Sequence, residues 1–345
     1  MKTALKPALL LLIGLALLKG SLLGQEAKAI TLRVVDENGS PVENARAVIS
    51  FVMGRDADEH IGLTDRNGVY FARGRPIVGV YLAVSKEGYY PARFDNTRSD
   101  ELPPGNIIEK RFVLPHVLKP VALYALDFGP GRGHSVNFPV QNEWLGFDFE
   151  AGDWVQPYGK GTNSDILFKF KNEFKGYRSS GSMLEQSREL NRNAASTKGE
   201  IWTEENFRLT AGNWDAQLDI SFPSAKEGMH EEKDRFLPYS TMKMPHEAPA
   251  DGYVPTWHYT ATTYSPSTAR DNAGFFLRTR VKLDGKGDIV SANYTKIIGD
   301  FRLDARGFMM FASYFNPVPN DRNLEFDPKQ NLFPANFPGA KVSDP

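Results

Sequence analysis

Three segments in the first third of the chain constrain its fold more than any other part of the sequence. They are ITLRVVDENGSPVENARAVISF at 30–51, GLTDRNGVYFA at 62–72 and LAVSKEGYYPARF at 82–94. Polar and apolar residues alternate from Thr31 to Val35, which is the period of a half-buried strand. Gly39, Gly68 and Gly88 each follow polar residues that favour turns, and glycine accepts the positive φ that such turns need. The pattern predicts short strands joined by tight turns in a small β-sandwich.

The turn residues and their neighbours carry a resemblance to a known family. They are Val35-Asp36 with Gly39, Pro41 and Val42; Ala45, Ala47 and Val48; Thr64-Asp65 with Gly68 and Tyr70; and Lys86, Gly88 and Tyr89. In order and spacing they resemble the carboxypeptidase regulatory-like domain, a transthyretin-like member of the immunoglobulin-like β-sandwiches, over about residues 30–115. The resemblance implies a stabilising, spacing or binding module next to other domains in secreted and envelope proteins. It implies no peptidase activity, because such modules supply no catalytic residues.

The N-terminal residues are typical of an export signal. Lys2 and Lys6 precede an apolar run from Ala8 to Leu18, which is too short to cross a bilayer and has the length of a signal-peptide core. We therefore predict a signal peptide at 1–24, with cleavage after Gly24 or after Ala29, and an uncleaved anchor as the alternative. The expected location is the bacterial periplasm or exterior, with no membrane span after cleavage.

The sequence changes character after the proline-flanked stretch 115–120, where we place a domain boundary. Residues 120–315 again show alternating apolar positions, separated by short turns such as Asp284–Gly287 and Asp304–Gly307. This pattern predicts an antiparallel β domain, a sandwich or jelly roll, and places the whole chain in the all-β class. The remaining residues, 316–345, are rich in Pro and Asn and are predicted to run extended over the surface.

One short helix is predicted within the second domain. Ser182 and Glu185 have the spacing of a capping box, and residues 186–195 are good or neutral helix formers. The helix has a thin apolar face, so we expect it on the surface. The polar stretch 223–257 is predicted to be a long loop, and loops of that length are usually functional or disordered.

Residue types and spacing argue against several common kinds of site. The net charge of −1, with scattered Lys and Arg, argues against a nucleic-acid interface. None of the six His residues has Glu three positions later, and Asp234 stands where a zinc helix beginning at His230 needs a second His. The chain has no Cys and therefore no disulfide, and a GxSxG nucleophile motif is absent. We predict no metal and no cofactor.

Three turns place oxygen atoms close together, as a calcium-binding site would require. They contain Asp36 and Asn38, Asp65 and Asn67, and Asp284 and Asp288. Calcium takes about six to eight oxygen ligands, and no loop in this chain has the EF-hand spacing. We therefore interpret these residues as ordinary turn formers.

Aromatic residues are concentrated in the second region, which contains all five Trp residues of the chain. Flat aromatic faces pack against sugar rings, so a candidate carbohydrate-binding face is chosen here on residue type alone. Its members are Trp154, Tyr158, Trp202, Trp214 and Trp257. The alternative is that these side chains belong to the core of the domain.

Acidic residues flank the aromatic ones, and glycosidases act through two carboxyl groups at a set separation. They are Glu143, Asp148, Glu150, Asp153, Glu204, Glu205, Asp215 and Asp219. Spacing singles out no pair, so we assign no catalytic residue. The sequence favours a secreted or envelope-associated, non-catalytic binding or structural protein, with a glycan or an envelope protein as its partner. A polysaccharide-active hydrolase or lyase with its site in 120–315 is the alternative.

Overall fold

The computed structural model describes residues 27–75, 78–96, 107–129, 131–265 and 267–345. The predicted signal peptide, residues 1–24, lies outside the described residues. The chain divides into two units, one that ends at Val117 and includes Tyr239–Met242, and one that comprises Leu118–Pro238 and Lys243–Pro345. No helix among the described residues is both long and apolar enough to cross a membrane.

The described residues of the first unit form seven strands. They are β1 (Lys28–Val35), β2 (Arg46–Met53), β3 (Asp56–Leu63), β4 (Val69–Gly74), β5 (Gly79–Ser85), β6 (Ala92–Asp95) and β7 (Ile107–Val113). One sheet has the order β4-β1-β7, in which β1 is antiparallel to β4 and parallel to β7. The other has the antiparallel order β3-β2-β5-β6. Both sheets contribute to one core, which includes Leu32, Ile49, Phe51, Leu82 and Phe112.

The three acidic turns share one local geometry. In each, the Asp Oδ1 atom accepts two backbone N–H groups, one two residues later and one four residues later. The hydrogen bond from the Val69 amide lowers the pKa of Asp65, and the one from the Asp288 amide lowers the pKa of Asp284. The Oδ1 atoms are therefore engaged by the backbone, which is the ordinary turn chemistry expected from the sequence.

Apart from residues 130 and 266, which are not described, the second unit contains eleven strands and two helices. The strands are β8 (Tyr124–Asp127), β9 (Val136–Asn137), β10 (Trp144–Asp148), β11 (Asp153–Trp154), β12 (Ile166–Tyr177), β13 (Gly212–Ser221), β14 (Gly228–Glu232), β15 (Thr256–Thr262), β16 (Gly274–Leu283), β17 (Ile289–Asp304) and β18 (Phe308–Asn316); the helices are α1 (Gly181–Lys198) and α2 (Glu204–Ala211). A five-stranded sheet has the order β11-β10-β12-β13-β15. A six-stranded sheet has the order β14-β16-β17-β18-β8, and β9 also pairs with β18. The all-β class is confirmed.

The helices differ from the prediction in two respects. Helix α1 begins at Gly181, with Ser180 at its N-cap and no side-chain cap, so Ser182 lies in the first turn and the predicted capping box is wrong. Helix α2 was not predicted, although its N-cap residue Thr203 accepts a hydrogen bond from the Asn206 amide. Each helix carries at most one buried residue, so neither has the broad apolar face that a periodicity search detects.

The six-stranded sheet is buried on both faces. Its inner face forms one core with the five-stranded sheet, through residues such as Phe168, Leu218, Phe275, Phe301 and Phe311. Its outer face is covered by a second cluster, with Phe236 and Met244 from the 223–257 stretch and Leu324 and Phe326 from the C-terminal residues. The residues after Asn316 form no helix or strand, as an extended tail would, but Leu324 and Phe326 are buried, because a sheet that is apolar on both faces must bury both.

Gly39 and Gly68 allow the cost of a left-handed backbone to be measured separately from the cost of a steric overlap. Gly39 and Gly68 have φ of 84° and 72°, but a Cβ on Gly39 would meet nothing within 4 Å, whereas one on Gly68 would overlap the Val34 carbonyl oxygen. We expect Gly39→Ala to lower the free energy of unfolding by about 1–2 kcal/mol, the cost of the left-handed conformation. Gly68→Ala should cost clearly more, as measured by urea denaturation. Equal losses in the two variants would contradict the steric contribution.

Lys296 is a buried cation on the outer face of β17. It is fully buried, its Nζ lies 4.6 Å from the centroid of the Tyr314 ring, and within the described residues Nζ has no hydrogen-bond partner. Burial lowers the pKa of Lys296 to about 7, and the charge of Glu325 opposes this shift. The amine of a lysine in the unfolded chain has a pKa of about 10.4. Between about pH 7 and 10 the unfolded chain therefore binds one more proton at this residue than the folded chain. Stability must therefore rise with pH over this window.

Lys296→Met should remove that penalty. We expect the variant to be more stable than the parent by on the order of 1–4 kcal/mol at pH 7 and below, with the difference shrinking towards pH 10. Urea denaturation between pH 6 and 10 measures the difference. Lys286→Met, which changes an exposed lysine in a turn, is the control and should show no such trend. A pH-independent difference for Lys296→Met would refute a neutral buried amine.

Candidate functional site

A groove in the second unit lies along helix α2 and the turn between β17 and β18. It has two halves, which meet because Leu209 and Arg306 line both. We call the half of about 510 Å³ the aromatic half, lined by Phe138, Phe170, Trp214, Glu204, Glu205 and Arg208 among others. We call the half of about 400 Å³ the basic half, lined by Arg178, Arg302, Arg306, Asp304, Thr263 and Ser267 among others.

Phe138 and Trp214 offer aromatic surface to the aromatic half, and the 1%-exposed ring of Phe170 supports them from the core. The rings of Phe138 and Phe170 are stacked, with centroids 4.6 Å apart and planes 9° from parallel. Trp214 is half-buried, its indole Nε1 donates to the Arg208 carbonyl oxygen at 3.0 Å, and its ring packs against Phe174. These contacts hold the indole in one orientation, so its face towards the groove is preorganised.

Charged side chains of α2 line the same half. The helix begins at Glu204, and its first turn carries Glu204 and Glu205, with Arg208 one turn later. Glu204 accepts hydrogen bonds from the hydroxyl of Tyr177 and from Nη2 of Arg188, the latter at 3.1 Å. The Tyr177 hydroxyl, followed by Arg188, lowers the pKa of Glu204. Glu204 is therefore a carboxylate at neutral pH, which accepts hydrogen bonds and donates none.

The basic half brings together arginines from three places in the chain. Arg178 follows β12, Arg302 lies on β17 and Arg306 lies in the turn after it. Arg302 pairs with Asp271, and Arg306 binds Asp304 through Nε at 2.8 Å and Nη2 at 2.7 Å. For the Arg178 side chain, the described residues offer no ion pair or hydrogen bond. In the sequence these arginines are scattered, and only the folded structure shows that they line one depression.

Of the five aromatic residues chosen from the sequence, Trp214 lines the groove and the other four do not. Trp154 is only 5% exposed, packs between Phe138, Phe147 and Phe168, and donates Nε1 to the Asn137 carbonyl oxygen. It is a core residue and offers no face to a ligand, so its selection was wrong. Burial decided this outcome, and residue type alone could not.

The remaining three lie apart from the groove. Tyr158 is exposed, and its hydroxyl donates to Glu143 at 3.3 Å. Trp202 is half-buried beneath the guanidinium of Arg192, 4.4 Å from its ring centroid. Trp257 packs against the core residue Phe275. The sequence missed Phe138, Phe170 and the arginines, for which it contains no signal beyond the recognised turn at Asp304–Gly307.

Several of the candidate carboxylates are engaged by cations. Arg280 on β16 contacts Asp165 through Nε at 2.7 Å, Glu150 through Nη1 at 2.5 Å and Asp148 through Nη2 at 3.0 Å. The side chains of Asp148 and Asp165 are 3% and 0% exposed. Arg280 itself has φ of 52°, a strained value for a residue with a Cβ. Arg280 thus places one positive charge against three carboxylates, two of which are buried, and none of the three lines the groove.

Other carboxyl groups with perturbed titration also lie outside the groove. Burial raises the pKa of Asp165 despite its hydrogen bonds from Arg280, and burial likewise raises the pKa of Glu227 and Asp300. Asp300 accepts from the hydroxyl of Tyr259 and from the Arg270 amide. None of the three lines either half of the groove. In the described parts of the chain, no group of three or more His, Asp or Glu side chains is placed to hold a metal ion.

Replacing Arg280 tests whether the carboxylate cluster depends on it. We expect Arg280→Leu to lower the free energy of unfolding by about 3–5 kcal/mol, because Asp148 and Asp165 would remain buried without their cation. Arg278→Leu is the matched control two residues earlier, since Arg278 donates to the carbonyl oxygens of Lys226 and Ala250 and pairs with no carboxylate in the described residues. Chemical denaturation of both variants gives the comparison; similar losses would argue against the ion-pair network.

No protein-family model and no curated protein matches the chain. Solved structures give distant similarities. A 3-chlorocatechol 1,2-dioxygenase from Rhodococcus opacus 1CP is 16% identical, with coverage of 27% of this chain and 61% of the dioxygenase, and a TM-score of 0.22. The shaft pilin spaA from Lactobacillus rhamnosus GG is 11% identical, with coverage of 45% of this chain and 91% of the pilin, and a TM-score of 0.21. A putative membrane-associated protein of unknown function from Bacteroides fragilis NCTC 9343 is 10% identical, with coverage of 86% of this chain and 99% of that protein, and a TM-score of 0.20. Similarities this low assign neither fold family nor activity.

Proposed function

We propose that the protein is a non-catalytic glycan-binding protein and that the ligand occupies the groove along α2. The observation that carries the proposal is Trp214, held in place by its indole hydrogen bond and lining a depression together with Phe138, whose half-buried ring stacks on the core residue Phe170. The C–H faces of sugars pack on aromatic rings, while sugar hydroxyls need polar groups at the edge of the site. Glu205 and Arg208 on α2 supply such groups.

The pKa of Glu204 supports binding over hydrolysis. A glycosidase needs a carboxylic acid with a raised pKa facing a second carboxylate. In the groove, the pKa of Glu204 is lowered. Asp304 accepts two hydrogen bonds from the guanidinium of Arg306 and a third from its backbone amide, so both carboxylates are engaged by groups of the protein itself. This favours a binding protein over the alternative of a hydrolase or lyase with its site in 120–315.

The first unit is proposed to act as a scaffold or spacer, as the carboxypeptidase regulatory-like resemblance at 30–115 implies. Its two sheets enclose a core of their own, which suits a module that carries a binding unit. With the predicted signal peptide, we place the protein in the periplasm or outside the cell. The partner is then a glycan of the envelope or its surroundings, with an envelope protein as the other candidate.

Two tryptophans provide a matched test on a glycan array. We expect Trp214→Ala to weaken binding at least tenfold, equivalent to about 1.4 kcal/mol, because it removes the stacking face. Trp144→Ala removes a 48%-exposed Trp outside the groove and should leave binding unchanged. Since Trp214 also packs against Phe174, Glu205→Gln provides a second variant at an exposed position, with an expected loss of several-fold.

The array result separates the two functional classes. If the Trp214→Ala and Glu205→Gln variants are both folded and still bind the glycan, the ligand binds elsewhere and the assignment of the groove as the binding site is refuted. Product analysis on each bound glycan is the second readout, and appearance of cleaved products would overturn the non-catalytic assignment. Absence of binding to every glycan would favour an envelope protein as the partner.

A further inference from the structure

The basic half concentrates positive charge in a chain whose net charge is −1. Three guanidinium groups line it together with Asp304, and Asp271 pairs with Arg302, so three cations against two carboxylates leave one excess positive charge. Like charges that share a depression repel one another, so an anion placed among them gains more than it would elsewhere on the surface. The charge arrangement therefore selects for a negatively charged group.

The three guanidinium groups keep donors available for such a group. Arg306 uses Nε and Nη2 on Asp304, which leaves Nη1. Arg302 pairs with Asp271, whose side chain is 77% exposed, and exposed pairs of this kind are weak. Arg178 is exposed and has no recorded side-chain partner within the described residues. Within the described residues, Arg178 and Nη1 of Arg306 are therefore available to an incoming anion, and Arg302 becomes available when one exposed ion pair is exchanged.

Hydroxyl groups line the same half. Thr262, Thr263 and Ser267, whose hydroxyl oxygens accept backbone amides and whose O–H groups remain to donate, lie with the arginines around a volume of about 400 Å³, within the range of about 300–1,000 Å³ typical of small-molecule sites. Guanidinium groups alone would suit any small anion. Guanidinium groups together with several hydroxyls match a ligand that carries both a charge and hydroxyl groups of its own.

We propose that the basic half binds the carboxylate of a uronic acid, so that the ligand of the groove is a polyuronate. The inference rests on the proposed glycan binding and adds the chemical class of the glycan. A planar carboxylate accepts two parallel N–H groups from a guanidinium fork, which makes arginine the preferred partner for it. A neighbouring sugar of the same chain reaches the aromatic half, because Leu209 and Arg306 line both halves.

Titration calorimetry with the full protein tests the charge on the ligand. The probes are tetramers of galacturonate and of mannuronate, their methyl esters, and a κ-carrageenan tetrasaccharide that carries sulfate in place of carboxylate. We expect at least one uronate tetramer to bind, its ester to bind at least tenfold more weakly, and its affinity to fall as salt is added. Arg178→Gln and Arg302→Gln should each weaken uronate binding by about tenfold.

Lys286→Gln is the matched control, because it removes one positive charge from an exposed turn that does not line the groove. It should leave uronate affinity unchanged. Thermal unfolding of each variant confirms that it is folded, and Arg178 is exposed, so its replacement leaves the core intact.

Each outcome distinguishes the inference from the proposed function. Esters or neutral glycans that bind as tightly as uronates would overturn the carboxylate assignment and leave the glycan groove in place. Equal binding of the sulfated tetrasaccharide would replace the carboxylate site with a general anion site. If no glycan binds, charged or neutral, the proposed function fails and the inference fails with it.

Discussion

The ion pairs of Arg280 join the two sheets of the second unit. Arg280 lies on β16 of the six-stranded sheet, Asp148 lies on β10 of the five-stranded sheet, and Asp165 precedes β12. Asp148 also accepts the amides of Thr162 and Asn163, so it orders the loop that leads to β12. A carboxylate removed from water needs a cation at this distance, and the strained φ of Arg280 is tolerated because three carboxylates hold its side chain. Strand β12, which begins directly after Asp165, continues to Phe170 and Asn172 at the groove.

Burial of both faces of the six-stranded sheet has a consequence for the groove. Its outer face is closed by the C-terminal residues, so β17 is fixed along its length. A register shift in the β17–β18 pairing lies between Ile298 and Arg302. Irregularities of this kind redirect side chains. After the register shift, Arg302 lines the basic half and Arg306 lies in the turn that follows β17. The groove is thus lined by the end of a strand whose outer face is packed elsewhere, which supports the backbone from which Arg302 and Arg306 extend.

The groove combines an aromatic half and a basic half within one depression. Trp214 is fixed by its hydrogen bond to the Arg208 carbonyl oxygen, and Arg208 belongs to the helix that supplies Glu204 and Glu205. The same eight-residue helix therefore sets both the stacking face and the polar side chains beside it. A fold of this class hosts many functions, so the function must be argued from such a site and not from the sheets around it.

The sequence by itself determined the all-β class, most of the strand positions and the acidic turns, because alternation and turn chemistry are local properties. From the sequence alone Trp154 and Trp214 could not be distinguished, because the alternation of polar and apolar residues is the same around both. In the structure Trp154 faces the inside of the core, whereas Trp214 lies at its edge. The sequence likewise could not place Arg178 beside Arg302, which are brought together only when β12 and β17 pack in different sheets around one core. Burial and long-range packing decided the site, because both depend on neighbours that are distant in the chain.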